Sequence, residues 1–163
     1  MNAGAYGGEM KQVAAETAVL TLDGETRVFR GEAQGFSYRT SAFEHLDVIL
    51  VKTVFRLAAG NREEISAQMQ QLMEKRRASQ PLELPSAGST FKRPEGAYAG
   101  ALIEQAQLKG VRVGGACVSE KHAGFVVNTG GATAQDVRAL IALIQKRVFE
   151  TSGFHLQPEV RIW

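Results

Sequence analysis

Two side chains of this 163-residue chain could give or hold a proton: Ser89 in LPSAGSTFKRP and Glu159 in LQPEVRIW. A hydroxyl and a carboxyl serve in acid and base chemistry when a cleft brings them to one substrate. Plainer explanations exist, because a serine beside Gly88 commonly bonds its own backbone in a turn. Glu159 could pair with Arg161 on a sheet surface, and Arg39 in YRTS could be a solvated turn charge. These residue types allow proton transfer without requiring it.

The sequence predicts neither a metal site nor a reactive cysteine. The three histidines, His122 among them, and the one cysteine lack the spacing of zinc ligands, so we expect no metal site. Cys117 is expected to be a small buried hydrophobic residue, since no neighbouring histidine could activate its thiol. The glycine-rich opening MNAGAYGGEM lacks the lysine of a nucleotide-phosphate loop.

The composition is that of a globular protein, with 44% hydrophobic and 22% charged residues. A formal net charge of +2 is too small to predict a nucleic-acid partner. The first residues lack the basic and apolar regions of a signal peptide, and no apolar run approaches the roughly 18 residues of a membrane span. One cysteine cannot form an internal disulfide, which suits a reducing compartment. We therefore expect a cytoplasmic protein that binds neither nucleic acid nor membrane.

The elements that must position these residues begin with a hairpin and a strand. AVLTLDGETRVFR predicts two strands joined at Asp23-Gly24, a dipeptide that tolerates the positive φ angles of a tight turn. The run Asp47–Leu57 is rich in β-branched and aromatic residues and short, which predicts a largely buried strand.

A helix is predicted from Arg62 to Ala78. Asn61 and Glu64 resemble its N-terminal capping pair, and apolar residues recur on one face. Met69 and Met73 lie on that face and are expected in the core. The polar, proline-bearing stretch SQPLELPSAG then interrupts the periodicity, so a domain boundary is predicted near Gln80, dividing the chain into residues 1–80 and 81–163.

Beyond this boundary the order of elements predicts a compact α+β domain. AYAGALIEQA indicates a short helix, and VRVGGACV and GFVVN indicate two strands. Thr133 and Asp136 form a capping pattern for a second helix, which Gly153 ends. The last ten residues alternate loosely, as in a final strand.

Five segments, in this order, resemble one bacterial cell-wall flavoenzyme family, the UDP-N-acetylenolpyruvoylglucosamine reductases. They are NAGAYG in the opening, YRTS, PSAGSTFKRP, LKGVRVGGACVSEKHAGFVVN and PEVRI. The form of SEKHAGF, and the lack of an extra tyrosine-bearing loop after the boundary, resemble the shorter second type of the family. The resemblance implies the C-terminal portion of a PCMH-type FAD-binding domain followed by an α+β substrate-binding domain.

What the resemblance implies for activity is a flavin-dependent reduction. NADPH reduces FAD, and UDP-N-acetylglucosamine enolpyruvate is reduced to UDP-N-acetylmuramate. The resemblance implies that Ser89 delivers the proton, while Arg39 and Glu159 flank the substrate carboxylate and stabilise the enolate. Glu159 would need to carry or share a proton to help a negative species. The flavin-contacting turn corresponds to Asn2, Gly4, Ala5, Tyr6 and Gly7.

The resemblance also implies a substrate shell. Lys109 and Arg161 match positive positions near the substrate, as a pyrophosphate requires. His122 matches a polar substrate contact, Arg93 stands where the other type carries asparagine, and Arg77 is a further candidate for a phosphate contact.

In this family, roughly as much chain again precedes NAGAYG and includes the loops that hold the FAD pyrophosphate. A missing N-terminal flavin-binding half is therefore an expected partner, and residues 1–80 are expected to expose apolar surface without it. Weak or no FAD retention is predicted for this chain alone. The alternative is a non-catalytic UDP-sugar-binding or interaction module that has lost its flavin lobe.

Overall fold

The computed structural model describes residues 1–162. The chain divides into two compact units, Met1–Asn61 and Arg62–Trp163. This division falls at the start of the first long helix, whereas the boundary near Gln80 remains a prediction about domains.

The first unit is built from short antiparallel strands. Its elements are β1 (Gly4–Ala5), β2 (Gly8–Glu9), β3 (Ala14–Thr21), β4 (Thr26–Arg30) and β5 (Val48–Phe55), with 3-10 turns at Met10–Gln12, Gly31–Gln34 and Ala42–His45. Strand β3 is central in a sheet of order β4-β3-β5, and β1 pairs with β2. The predicted hairpin is confirmed, because β3 and β4 pair across a turn in which Gly24 has a φ of +86°.

Strand β5 differs from its prediction in burial. Its residues form the predicted strand, but Ile49, Leu50, Val51 and Phe55 are exposed, Val51 to 64%. The composition of the strand reports its β-propensity correctly, whereas burial depends on what covers the sheet. The exposure confirms that residues 1–80 present apolar side chains to solvent.

The second unit contains three helices and a four-stranded antiparallel sheet. Its elements are α1 (Arg62–Ser79), β6 (Ser86–Ser89), α2 (Ala99–Gln105), β7 (Arg112–Val113), β8 (Ala116–Val118), β9 (Phe125–Asn128) and α3 (Ala134–Ser152). The strand order is β6-β9-β8-β7. The fold class is therefore α+β, as predicted. The stretch VRVGGACV forms two short paired strands, β7 and β8, because Gly114 and Gly115 turn the chain between them.

Helix α3 follows its sequence signals closely. The Thr133 side chain accepts a hydrogen bond from the backbone of Asp136, and the Asp136 side chain accepts one from Thr133, which completes the capping box. Gly153 ends the helix in the left-handed conformation, with a φ of +73°. The apolar face of α3 packs on α2, β7 and β8. The buried core of the unit includes Ile103, Val118, Leu140, Ile144 and Val148.

Helix α1 does not bury its apolar face within the described residues. Ile65, Met69 and Met73 are exposed, Met69 to 66%, so the expectation that the two methionines belong to the core is wrong. Spacing on one helix face predicts which residues share a side, but a core also needs a second surface against that side. Cys117, in contrast, is buried as expected.

The C-terminal segment is shorter as a strand than predicted. Its pairing consists of one isolated antiparallel bridge between Phe91 and Pro158, continuing the line of β6. Pro158 has no backbone N–H to donate, which limits a regular ladder here. Trp163 lies outside the described residues. Within residues 1–162, none of the helices has the length and apolar character needed to cross a membrane.

Candidate functional site

Ser89 is exposed at the end of β6, directly after an irregularity in the strand. Ser86 pairs with Val127 and Ser89 with Phe125, so two residues of β6 lie opposite one residue of β9. Gly88 in this bulge has a φ of +86°, a conformation that glycine adopts without strain. The glycine loop of the sequence is therefore a β-bulge that presents the serine hydroxyl to solvent.

Glu159 lies on the backbone segment that adjoins β6. Its N–H donates to the carbonyl oxygen of Thr90 at 2.8 Å, and the N–H of Lys92 donates to Gln157 at 2.8 Å. The two predicted residues, 70 positions apart, thus lie on neighbouring segments at one edge of the sheet. Arg161 follows on the same segment and is exposed.

The ring of His122 packs close to two glycines, Gly100 and Gly124. Its Nδ1 accepts a hydrogen bond from the N–H of Gly124 at 3.1 Å, and the ring meets Phe125 edge-on with centroids 5.0 Å apart. A Cβ on Gly100 or Gly124 would lie 3.2 or 3.0 Å from the Cε1 of the ring. Because Nδ1 accepts, the neutral ring carries its proton on Nε2, which is the nitrogen available to a ligand.

The predicted cationic contacts are already engaged in part. Lys109 Nζ lies 2.6 Å from the carboxylate of Glu104. The Arg93 guanidinium carbon lies 3.9 Å from the ring centroid of Tyr98, a cation-π arrangement. Arg77 lies in the last turn of α1, where its backbone carbonyl accepts from Lys121 Nζ at 2.8 Å. A ligand phosphate would compete with Glu104 for the lysine.

The opening of the chain folds into a two-residue hairpin between β1 and β2. Tyr6 and Gly7 occupy the turn with φ angles of +51° and +83°, as a type I′ turn requires. Asn2 is buried, with 3% of its surface exposed: its Nδ2 donates to Glu9 Oε2 at 2.9 Å, and its Oδ1 accepts from the N–H of Lys11. Asn2 thus holds the turn together.

A cleft of about 260 Å³ lies at this hairpin. Its lining consists of Asn2, Gly4, Ala5, Gly7, Gly8, Glu9, Tyr38 and Arg39. Arg39 has a φ of +57°, and its Nη1 donates to the carbonyl oxygen of Gly4 at 3.4 Å. Four of the five residues predicted to contact flavin therefore share a cleft with the predicted catalytic arginine.

Sequence reasoning missed Glu9 in this cleft. Hydrogen bonds from Asn2 and Lys11, with the positive charges of Lys11 and Arg39, lower the pKa of its carboxyl. The carboxylate is consequently the charged form that faces Arg39 in the cleft. The signal for it was the polar pair Asn2 and Glu9, which flanks the glycine turn on both sides.

Comparison with known proteins identifies the family. Residues 80–163 match the model of the family described as "UDP-N-acetylenolpyruvoylglucosamine reductase, C-terminal domain". The chain belongs to this family. Three of the five motifs lie within the matched residues, and a relative that matches 99% of the chain confirms the resemblance over the remainder.

Individual relatives in the UDP-N-acetylenolpyruvoylglucosamine reductase family extend the match over the whole chain. The reductase of Caldanaerobacter subterraneus subsp. tengcongensis is 50% identical over 99% of the chain, and that of Syntrophomonas wolfei subsp. wolfei is 48% identical over 99%. Each match covers 54% of the relative. The crystal structure of UDP-N-acetylenolpyruvylglucosamine reductase from Thermus caldophilus superposes with a TM-score of 0.84 at 37% identity, covering 100% of this chain and 57% of that one. The chain spans about half the length of the curated relatives it matches.

Proposed function

We propose that this chain supplies the proton-donating and substrate-binding part of a flavin-dependent reductase that converts UDP-N-acetylglucosamine enolpyruvate to UDP-N-acetylmuramate. The activity serves peptidoglycan precursor synthesis, and a cytoplasmic location is part of the proposal. The observation that carries it is the adjacency of Ser89 and Glu159 at one sheet edge, joined by the bond from Glu159 N–H to the Thr90 carbonyl. The family match of residues 80–163 covers both side chains.

The proposed chemistry divides between hydride and proton delivery. FAD, reduced by NADPH, supplies the hydride when bound. The reduced double bond is conjugated to the substrate carboxylate, so hydride addition at its terminal carbon places enolate charge on that carboxylate. Ser89 then gives the hydroxyl proton to the adjacent carbon, which completes the reduction. Its position after the bulge leaves the hydroxyl exposed for this transfer.

Arg39 and Glu159 are proposed to hold the carboxylate charge. The guanidinium is a permanent cation with several N–H donors, and the carboxyl of Glu159 contributes when it shares a proton with the substrate. Glu159 is half-buried, which limits competition from water for such a bond.

The hairpin cleft fits only part of a flavin. Its volume of about 260 Å³ lies below the roughly 300–1,000 Å³ typical of a whole small-molecule site. A side chain in place of Gly4 would crowd this lining, because its Cβ would lie 3.2 Å from Glu9 Cγ. Gly4, Ala5, Tyr6 and Gly7 would contact an edge of the ring system, and Asn2 would hold the hairpin in shape.

The nucleotide part of the substrate is proposed to bind cations of the second unit. Lys109 and Arg161 would compensate the pyrophosphate charge, with Arg93 and Arg77 as further contacts. Lys109 would exchange Glu104 for a phosphate oxygen. His122 would donate from Nε2 to a polar group, since the bond from Gly124 already occupies Nδ1.

The proposed partner of the first unit is an N-terminal flavin-binding half. Strand β5 is at the edge of its sheet and exposes four apolar side chains, a combination that invites pairing with further chain. A partner strand on β5 would cover this edge.

A second candidate is a non-catalytic UDP-sugar-binding or interaction module. The small volume of the hairpin cleft, about 260 Å³, favours it. It differs from the reductase in one measurable respect, because the module binds the UDP-sugar without turnover.

The decisive experiment purifies the chain and measures NADPH oxidation with the enolpyruvyl substrate, alone and with the N-terminal half of a relative added. We expect turnover only in the mixture, together with flavin absorbance. Ser89→Ala should lower kcat about 10²- to 10⁴-fold and leave substrate binding unchanged. Ser79→Ala, an exposed serine on α1, is the control. Binding with no turnover in any mixture would support the module instead, and unchanged kcat in Ser89→Ala would refute the proton donor.

Binding itself is tested by titration calorimetry with the UDP-sugar. Lys109→Ala combined with Arg161→Ala should weaken binding at least tenfold, because each cation faces a doubly charged pyrophosphate. Lys146→Ala is the matched control, since that lysine is exposed on α3 and lies 3.9 Å from Glu150. Equal loss in the control and the double variant would point to general electrostatics rather than to a site.

A further inference from the structure

Thr90 connects three separate segments around the proposed site. The residue is buried, with 2% of its surface exposed, and follows Ser89 directly. Its N–H donates to the carbonyl oxygen of Gly124 at 2.9 Å, and its carbonyl accepts from the N–H of Glu159 at 2.8 Å. Its Oγ1 accepts from the N–H of Val126 at 3.0 Å. All three of its polar groups are therefore used.

The hydroxyl bond compensates for the bulge in β6. Val126 is the residue of β9 that faces the two bulged residues, where the ladder of backbone hydrogen bonds is interrupted. A buried N–H without a partner is costly, and the Thr90 hydroxyl accepts this one. The bulge that presents Ser89 is thus stabilised by the side chain of the next residue.

The backbone of Thr90 also fixes the segment that carries Glu159. Its carbonyl accepts from Glu159, beside the bridge between Phe91 and Pro158, so a shift of Thr90 moves the segment that carries the glutamate. The N–H bond to Gly124 ties the same residue to the loop that holds His122.

We infer that Thr90 is the positioning residue that sets Ser89 and Glu159 relative to each other, its hydroxyl holding the serine bulge and its carbonyl holding the glutamate segment. The catalytic consequence rests on the proposed function, whereas the structural part concerns this chain alone. No contact between Thr90 and a substrate is involved.

The first test measures amide hydrogen exchange by NMR on the full 163-residue chain. Thr90→Ala and Thr90→Ser form a matched pair, since both lose the methyl group and only serine keeps the hydroxyl. In Thr90→Ala the amides of Val126 and Glu159 should exchange about tenfold faster than in Thr90→Ser. Thr129→Val removes an exposed hydroxyl bonded to Gly115 and should leave both amides unchanged. Equal exchange at Glu159 in the alanine and serine variants overturns the inference.

The second test uses the chain combined with the N-terminal half of a relative. Thr90→Ala should lower kcat about tenfold while the KM for NADPH stays constant, and Thr90→Ser should restore kcat. Full kcat in Thr90→Ala beside an inactive Ser89→Ala would overturn the positioning role and leave the proton donor intact. Full kcat in Ser89→Ala would overturn the proposed function, and the exchange experiment would then decide the structural role of Thr90 by itself.

Discussion

Gly100 in α2 is predicted to be coupled to His122. A Cβ at this position would lie 3.2 Å from Cε1 and 3.7 Å from Nδ1 of the ring, and 3.5 Å from the N of Gly124. The shortest of these distances is tighter than an ordinary van der Waals contact, so Gly100→Ala should displace the ring.

The size of the effect follows from three contributions. Alanine in place of glycine in a helix stabilises by about 1 kcal/mol. Displacing the ring loses the bond from Gly124 to Nδ1, worth about 1 kcal/mol, and the edge contact with Phe125, worth about 0.5–1.5 kcal/mol. Gly100→Ala alone should thus destabilise by about 1 kcal/mol. In a His122→Ala background the same change should stabilise by about 1 kcal/mol, which gives a coupling of about 2 kcal/mol.

The assay is a double-mutant cycle by urea unfolding of the full chain. The NMR signals of β8 and β9 restrict the measurement to the unit that contains the ring. Ala101→Gly, at an exposed position of the same helix, measures helix propensity alone and should cost about 1 kcal/mol with or without His122. Additivity of Gly100→Ala and His122→Ala within about 0.3 kcal/mol would refute the reasoning, because it would mean that the methyl group of the new alanine fits beside the ring without displacing it.

Three further predictions concern stability. The pKa of Asp136 is lowered, chiefly by a hydrogen bond from the backbone N–H of the cap residue Thr133. Its contribution to the free energy of unfolding is therefore present above pH ~4 and is lost as the pH falls further. The urea midpoint of Asp136→Asn should accordingly change less between pH ~5 and acidic pH than that of the parent chain. Gly114→Ala should destabilise by about 2 kcal/mol more than Gly153→Ala, since both glycines have positive φ but only the first new Cβ would meet Asp136, at 2.5 Å. Thr17→Val should cost about 1–3 kcal/mol in thermal unfolding, because Thr17 Oγ1 donates to buried Gln34 Oε1 at 2.8 Å.

Each of these has a result that would contradict it. An acid dependence in Asp136→Asn as steep as in the parent chain would show that the cap carboxylate is not the titrating group. Equal losses at the two glycines would mean that backbone strain, not the close approach, sets the cost. For Thr17→Val, the control is Thr26→Val at an exposed position. An equal loss of thermal stability in the two variants would show that the burial of the Thr17 hydroxyl does not set the cost.

Several elements could be predicted because their signals are local. The capping box of Thr133 and Asp136, the stop at Gly153 and the turn at Asp23-Gly24 depend on residues a few positions apart. Hydrogen bonds and φ preferences within one turn decide such features, so the identities of a few neighbouring residues are enough to predict them. The family motifs are of the same kind, since each is a short run of residues.

Burial was predicted less well, for a physical reason. The composition of β5 predicts a buried strand and the periodicity of α1 predicts core methionines, yet Val51 and Met69 are exposed. An apolar face is buried only when another surface packs on it, and no pattern within the strand or helix states which surface that is.

The sequence by itself determined the α+β class, the long helices and the residue types that allow proton transfer at Ser89 and Glu159. Only the tertiary structure decided that these two residues lie at one sheet edge, with buried Thr90 between the segments that carry them. The reason is that their proximity comes from backbone hydrogen bonds between segments 70 positions apart in the chain, and such long-range pairing leaves no trace in the neighbouring residues.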